Sequence, residues 1–232
     1  MTHQWIIAEY DELLRDCSEE DLVTEITELY HSIVHSIDPS IYSPEEQQAW
    51  SPGAPDIHPW IERFRKAPPL LALTFSGELK PSNVSIPTNE LAGRKTIKSG
   101  PADDASADEN DRSLERNDRN QKDWPRPALD DHRGGRIIGF MNLEFPATEY
   151  EAGTAHLDLA YVATKYQGSG VAGALYERLE SEARHRGALK ITVDASHLAR
   201  PFFMKRGYRF LTENQVPRNG LYITNFSLEK VL

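Results

Sequence analysis

The chain has 232 residues, 39% hydrophobic and 27% charged, which is typical of a soluble globular protein with one or two domains. Its formal net charge of −10 disfavours DNA or RNA as the main partner, because phosphate binding requires a basic surface. That charge favours, through long-range steering, cationic substrates that carry an amine. No apolar run approaches the roughly 18 to 20 residues of a membrane span, so we expect no membrane partner.

The expected compartment follows from two features of the sequence. The N-terminal residues "MTHQWIIAEYDELL" lack the apolar run and small-residue cleavage site of a signal peptide. Cys17 is the single cysteine, which excludes an internal disulfide and fits a reducing compartment. We therefore predict a cytoplasmic protein, with a nuclear location left open.

The first zone of the chain, up to about residue 77, predicts two helices and a strand. Ser18 caps "SEEDLVTEITELYHSIVHSI", whose apolar residues follow helical spacing. In "YSPEEQQAW", Ser43 caps a second helix, Pro44 takes its first position and Glu46 closes a capping box. The residues "PPLLALTFSGE" then predict a strand that ends in a turn.

The second zone, at about 79–134, is polar and rich in turn formers. The residues "KSGPADDASADENDRSLERNDRNQKDWPRP" have few apolar side chains and no steady period. Such a segment buries too little surface to offset the entropy of ordering it, so we expect a disordered insertion within a single domain that spans residues 1–232. A folded lid over the active site is the alternative.

The third zone, from about Arg136 to the end, is dense and regular. Strands are predicted at "GRIIGFMNLEF", "AHLDLAYVAT" and "ALKITVDAS". A helix is predicted at "SGVAGALYERLESEARHRG", ending at Gly187, and a shorter one, capped by Ser196, in "SHLARPFFMKRGYRF". The chain closes with a hairpin around Asn219 and Gly220.

The loop before the longer of these helices, "YQGSGVAGALYERL", has two interpretations. Gly168, Gly170 and Gly173 fit the dinucleotide pattern G-x-G-x-x-G, and Asp194 lies about 20 residues further on, where a ribose ligand is expected. Against this, "ATKYQ" separates the strand from the first glycine, and too few βα units follow. The alternative pattern is Q-x-x-G-x-A, carried by Gln167, Gly170 and Ala172.

That second pattern belongs to a wider resemblance. Residues 136–226 resemble the GNAT N-acetyltransferase superfamily, whose pyrophosphate signature is Q/R-x-x-G-x-G/A. The family's second element, N-x-x-A-x-x-F-Y-x-x-x-G-F, is approximated at the positions Ser196, Ala199, Phe202, Phe203, Gly207 and Tyr208. The first zone is similar to the family's opening strand and paired helices. The resemblance implies an α/β (α+β) fold with a mixed, mostly antiparallel twisted sheet flanked by helices and splayed near His156 and Leu189.

The resemblance also implies a cofactor, a reaction and partners. Acetyl-CoA would donate its acetyl group to a primary amine of a small molecule or peptide, and the protein would be a monomer or a homodimer. The backbone of a helix N-terminus suits a pyrophosphate because its N–H groups and dipole favour negative charge. The expected coenzyme A contacts are Tyr161, Val162, Gln167, Gly168, Ser169, Gly170, Val171, Ala172, Ser196 and Phe203.

Proton transfer is assigned to the strand before the loop. His156 and Asp158 share one face, because side chains alternate along a strand. His156 falls in the column where histone-modifying members of the family carry a glutamate base, and a histidine can replace it near neutral pH. Many members carry a tyrosine general acid where this chain has Phe203, so another group or water would protonate the thiolate, with Tyr208 and Tyr161 as candidates.

The remaining candidates concern the acceptor and metal. His35 and Tyr42 are expected to line the acceptor cleft, where the resemblance puts the first-zone helices, and Trp50 is a further candidate. His31 and His35 are four residues apart on one helix, but no third ligand is indicated, so we expect no metal. A second hypothesis is an acyl-CoA-binding regulatory or adaptor protein with little turnover, which fits Phe203 and the long insertion.

Overall fold

The computed structural model describes residues 5–53, 56–75, 135–145 and 153–232, which all belong to one compact unit. Its strands are β1 (Trp5–Glu9), β2 (Leu70–Phe75), β3 (Gly135–Glu144), β4 (Thr154–Val162), β5 (Lys190–Ala195), β6 (Arg209–Arg218) and β7 (Leu221–Val231). Its helices are α1 (Tyr10–Leu13), α2 (Glu19–Val34), α3 (Pro44–Trp50), α4 (Ile57–Lys66), α5 (Val171–His185) and α6 (Arg200–Met204). None of the helices in these ranges is long and apolar enough to cross a membrane. The expected insertion at 79–134 lies outside the described residues.

The seven strands form one sheet in the order β1-β2-β3-β4-β5-β7-β6. The pair β4–β5 is parallel, and the other five pairs are antiparallel. This confirms the predicted mixed, mostly antiparallel sheet. It excludes the dinucleotide interpretation, because that fold requires a largely parallel sheet built from repeated βαβ units.

Apolar side chains cover both faces of this sheet. On one face, α5 and α6 pack through Leu175, Leu179 and Phe203 onto strand residues such as Leu157 and Ile191. On the other face, α1, α2 and α4 pack through residues that include Val23, Ile26 and Phe64 against Phe140 and Leu159. The helix-facing side chains of the strands thus divide between two cores, and the predicted flanking helices are present on both faces.

The helix starts of the first zone follow the predicted caps. Ser18 Oγ accepts a hydrogen bond from the N–H of Asp21, and Ser43 and Glu46 form the complete capping box of α3. The predicted cap of α6 is wrong, because residues 197–199 form a turn and the helix begins at Arg200 after Ala199. Ser196 instead stabilises that turn, since its Oγ accepts from the N–H of Ala199 at 3.2 Å.

The hairpin prediction is confirmed. Asn219 and Gly220 form a two-residue loop between β6 and β7, with φ of 45° and 84°. Positive φ at both central residues is what a type I′ turn requires, and Asn-Gly adopts it at little steric cost.

A β-bulge in β4 separates it from β5. The β3–β4 register pairs Leu143 with Leu157 but Asn142 with Leu159, so Asp158 is the extra residue. On its other side, β4 pairs with β5 only from Thr154 to Leu157. A bulge bends its strand and increases the local twist. The two strands therefore diverge after Leu157, and the backbone of the second half of β4 has no neighbouring strand on the β5 side among the described residues.

Candidate active site

The glycine-rich loop leaves the N-terminus of α5 open. Gly168 and Gly170 have φ of 79° and 92°, a left-handed conformation that glycine adopts without strain. Gly170 is the N-cap of α5, so no side chain caps the helix, and the first turn carries no acidic residue. The loop residues from Gln167 to Gly170 are exposed. Free N–H groups and the helix dipole make this end suited to an anion.

The predicted coenzyme A contacts surround this loop and the open edge of β4. Tyr161 and Val162 end the part of β4 that has separated from β5. Gln167 donates from Nε2 to the carbonyl of Val162 at 3.3 Å, which links the loop to the strand end. Ser169 donates from Oγ to the carbonyl of Tyr166 at 2.6 Å. Val171 and Ala172 begin α5, so the structure brings these predicted contacts together.

The two remaining predicted contacts, in and before α6, are placed differently. Ser196 is half-buried and bonds to the local backbone. Phe203 is buried in the core, where its ring lies 6.2 Å from that of Tyr176 and 5.2 Å from that of Tyr208. Its surroundings are those of a packing residue. Tyr208 is also buried, and its hydroxyl accepts from that of Tyr176 while burial raises its pKa well above the ordinary value.

His156 and Asp158, the predicted proton-transfer residues, are held by side chains from two other elements. Nδ1 of His156 lies 2.9 Å from Oγ1 of Thr192 on β5. Asp158 forms a two-point ion pair with Arg63 of α4, in which Nε donates at 2.7 Å and Nη2 donates to the second oxygen. This pairing is the geometry in which a guanidinium holds a carboxylate most firmly. It is typical of a residue that fixes position, and it occupies both oxygens of Asp158.

Glu144 is a further member of this group, which the sequence analysis missed. It is paired with His156 across the β3–β4 ladder, so the two side chains emerge side by side. Loss of solvent around the carboxyl raises the pKa of Glu144, and the negative charge of Asp158 raises it further, whereas Arg63 and His156 lower it. Glu144 is thus a carboxyl with a raised pKa that lies beside an imidazole.

His35 and Tyr42, the predicted acceptor contacts, have different surroundings. Exposed His35 borders an open cavity of about 770 Å³, whose other lining residues are Ser36, Ile37, Asp38, Pro39, Pro44, Gln47 and Gln48. Tyr42 is 1% exposed, and its hydroxyl donates to the carbonyl of Thr224 at 2.8 Å and accepts from the N–H of His197 at 3.0 Å. Trp50 packs edge-on against Tyr42. Ser36, one of the lining residues, has its Oγ 2.7 Å from Oγ1 of Thr164, which lies just before the glycine-rich loop.

His31 of α2 and His35, which directly follows that helix, are both hydrogen-bonded to Ser51 at the end of α3. The rings of His31 and His35 lie 4.2 Å apart, His31 Nδ1 is 2.9 Å from Ser51 Oγ, and His35 Nε2 donates to the carbonyl of Ser51 at 2.8 Å. Among the described residues, no group of three or more potential ligands surrounds a metal position. Burial and the neighbouring His35 lower the pKa of His31.

The family model and the curated relative that match this chain both indicate an acetyltransferase. Residues 130–230 match the family model of an acetyltransferase (GNAT) domain. The uncharacterized N-acetyltransferase YafP of Escherichia coli (strain K12) is 36% identical over 72 residues, and that alignment covers 31% of this chain and 44% of YafP. The chain therefore spans less than half the length of this curated relative.

Two solved structures share the fold over almost the whole chain. A GCN5-related N-acetyltransferase from Rhodopseudomonas palustris has 24% identity and a TM-score of 0.59, with 100% of this chain and 99% of that chain covered. PaiA N-acetyltransferase from Thermoplasma acidophilum, solved in complex with coenzyme A, has 14% identity and a TM-score of 0.52, with 99% of each chain covered. The family match over residues 130–230, the relative and the shared fold agree, and together they support membership of the GNAT superfamily of acetyltransferases.

Proposed function

We propose that this protein is an acetyl-CoA-dependent N-acetyltransferase that acts on a primary amine. The observation that carries the proposal is the open N-terminus of α5 beside a strand edge that the bulge at Asp158 has freed from β5. A pyrophosphate fits the helix end, and an extended arm fits the unpaired edge of β4 as an added strand. The coenzyme A complex of the Thermoplasma acidophilum protein, which shares the fold, supports this assignment.

The cofactor contacts follow from that placement. The backbone N–H groups of Gly168 and of residues 170–172 would bind the pyrophosphate. The N–H of Ser169 already donates to the carbonyl of Tyr166 at 3.2 Å, so Ser169 and Gln167 would fix the loop. The backbone of Tyr161 and Val162 would pair with the pantetheine arm. Ser196 lies in the turn before α6, and Phe203 would act by packing that helix into the core rather than by direct contact.

The reaction would be a direct attack on the thioester. The amine nitrogen bonds to the acetyl carbon, the carbon–sulfur bond breaks, and the thiolate leaves with the electron pair. His156 would take the proton that the amine loses, directly or through water, while Thr192 holds the ring at Nδ1. Asp158, held by Arg63, would keep the proton-transfer residues in position. Glu144, which pairs with His156 across the ladder, would be a further proton acceptor. Water would protonate the thiolate, because Phe203 has no proton to give.

The acceptor would enter between the residues that follow α2 and the start of α3. His35 and Ser36 line the cavity there, and Ser36 contacts Thr164, which lies just before the glycine-rich loop. Tyr42 would shape the wall indirectly, because its hydroxyl is already bonded to two backbone groups. The net charge of −10 favours an acceptor that approaches as a cation.

The first test is a thermal-shift comparison with acetyl-CoA, NADH or no ligand. A ligand at 100 times its Kd adds about 2.7 kcal/mol, so acetyl-CoA should raise the midpoint by roughly 5 to 10 °C while NADH should not. A screen of primary amines then measures thiol release from acetyl-CoA. His156→Ala should lower kcat/KM while the acetyl-CoA shift is kept. A shift with neither ligand, or with NADH alone, would contradict the proposal.

An acyl-CoA-binding regulatory or adaptor protein is the second candidate function. This candidate is favoured by Phe203, which is buried and has no proton to give. Many family members carry a tyrosine general acid at this position. Both candidates require an acetyl-CoA shift, but only the enzyme releases thiol in the presence of an amine. Binding without thiol release across a broad amine panel would select the second candidate.

A further inference from the structure

Arg206 lies against the first turn of α5. Its Nη2 is 3.1 Å from the point where a side chain on Gly173 would begin. Gly173 is three residues beyond the N-cap Gly170, and it has an ordinary helical backbone conformation. The guanidinium therefore occupies the space beside the helix that any side chain at position 173 would take.

Aromatic side chains and a backbone carbonyl hold the guanidinium there. Its Cζ is 3.6 Å from the ring centroid of Phe202 and 5.4 Å from that of Tyr176. Nη1 donates to the carbonyl of Phe202 at 3.3 Å. A planar guanidinium stacks on aromatic faces, and its remaining N–H groups, which lie in the guanidinium plane, stay available as donors.

No carboxylate among the described residues forms an ion pair with Arg206. Glu180, one turn beyond Tyr176 on the same helix, is bonded to Lys230 at 2.7 Å and to Arg184 at 2.8 Å. Arg206 is thus a half-buried, oriented cation beside a helix start that already favours negative charge.

We propose that Arg206 binds a phosphate of coenzyme A, and that Gly173 keeps open the space its guanidinium needs. This rests on the proposed function, which puts coenzyme A at the N-terminus of α5. A guanidinium fork matches two phosphate oxygens at once, and its charge adds to that of the free N–H groups. The shared chemistry is a phosphate oxygen, which either the pyrophosphate or the 3′-phosphate of the cofactor can supply.

Calorimetric titration with coenzyme A and with dephospho-coenzyme A, which lacks the 3′-phosphate, tests this. Arg206→Gln should weaken coenzyme A binding at least about tenfold, the equivalent of one charge-assisted hydrogen bond. Arg186→Gln, which removes the same charge at the opposite end of α5, should change the affinity less than about twofold. A loss for coenzyme A alone assigns the 3′-phosphate, and an equal loss for both ligands assigns the pyrophosphate.

Gly173→Ala provides a variant with the charge intact. Alanine is favoured over glycine within a helix, so the unliganded midpoint should stay or rise. The methyl group would push Nη2 away by a few tenths of an ångström, so coenzyme A binding should weaken, by less than in Arg206→Gln. Arg206→Gln binding both ligands within twofold of the wild type would overturn the inference. Failure of the wild type to bind coenzyme A would be a different result, because it would refute the proposed function itself.

Discussion

The buried amide of Asn142 holds the bulge that opens the proposed cofactor site. Its side chain is 0% exposed. Oδ1 accepts from the N–H of Leu159 at 3.0 Å, and Nδ2 donates to the carbonyl of Ala67 at 3.3 Å. Leu159 directly follows the extra residue Asp158, so Asn142 satisfies a backbone group at the point where the ladder is disrupted.

Asn142→Ala should therefore destabilise the fold more than most substitutions of a polar residue by an apolar one. It leaves one buried N–H and one buried carbonyl without this partner, and each such group costs about 1–3 kcal/mol. The expected loss is about 2–6 kcal/mol, which for a chain of this size lowers the unfolding midpoint by roughly 4–24 °C. Because the bulge also sets where β4 leaves β5, the stabilisation by acetyl-CoA should shrink as well.

Urea denaturation and thermal unfolding, each with and without acetyl-CoA, measure both effects. The matched control is Asn214→Ala in the β6–β7 hairpin, where the amide also makes two hydrogen bonds, at 2.8 Å each, to the side chains of Asn225 and Ser227. These groups are more accessible to water, so the control should cost less than about 1 kcal/mol. Equal losses in the two variants would refute the assignment of a special role to Asn142.

Three further outcomes are expected. Tyr42→Phe removes a buried hydroxyl that bonds Thr224 and His197, and should cost about 2–4 kcal/mol in urea denaturation. Glu144→Gln should raise stability at pH 7 but not at pH 4: a carboxyl whose pKa is raised on folding loses stability as pH rises above its ordinary value, and Gln cannot ionise. His31→Asn should weaken the loss of stability as pH falls below about 6.5, because the lowered pKa of His31 favours the neutral ring in the fold. Equal pH profiles for variant and wild type would contradict the last two.

Local sequence signals predicted the parts of the fold that are determined locally. The caps at Ser18 and Ser43 fix helix starts through hydrogen bonds within three residues, and Asn219-Gly220 fixes the hairpin through its own backbone preference. The family pattern at Gln167, Gly170 and Ala172 marked the helix end that the structure leaves uncapped. Each of these depends on a few neighbouring residues.

The composition of the proton-transfer group could not be predicted in the same way. Arg63 lies on α4, a helix that the sequence analysis did not identify, and it meets Asp158 across 95 residues of chain. Glu144 joins His156 through the register of β3 and β4, which includes a bulge that no local pattern reveals. The sequence did contain one signal for Glu144: it is a carboxylate at the end of one predicted strand, and the next predicted strand contains His156. Its significance depends on pairing, because a one-residue slip reverses the faces of a strand.

The connection between β2 and β3 explains how this fold accommodates a long polar segment. Phe75 pairs directly with Gly135, so the two strands meet on either side of residues 76–134. Loop-closure entropy grows by only about 0.6 kcal/mol for each doubling of length, so closing a connection of this length costs roughly 2.3 kcal/mol more than closing a four-residue turn. We therefore propose that the segment is an insertion, and that replacing residues 77–133 by a short turn keeps the fold. The unfolding midpoint should stay or rise, and the acetyl-CoA shift should persist. A lower midpoint, or loss of the acetyl-CoA shift, would instead show that the segment contributes contacts to the domain or to its cofactor site.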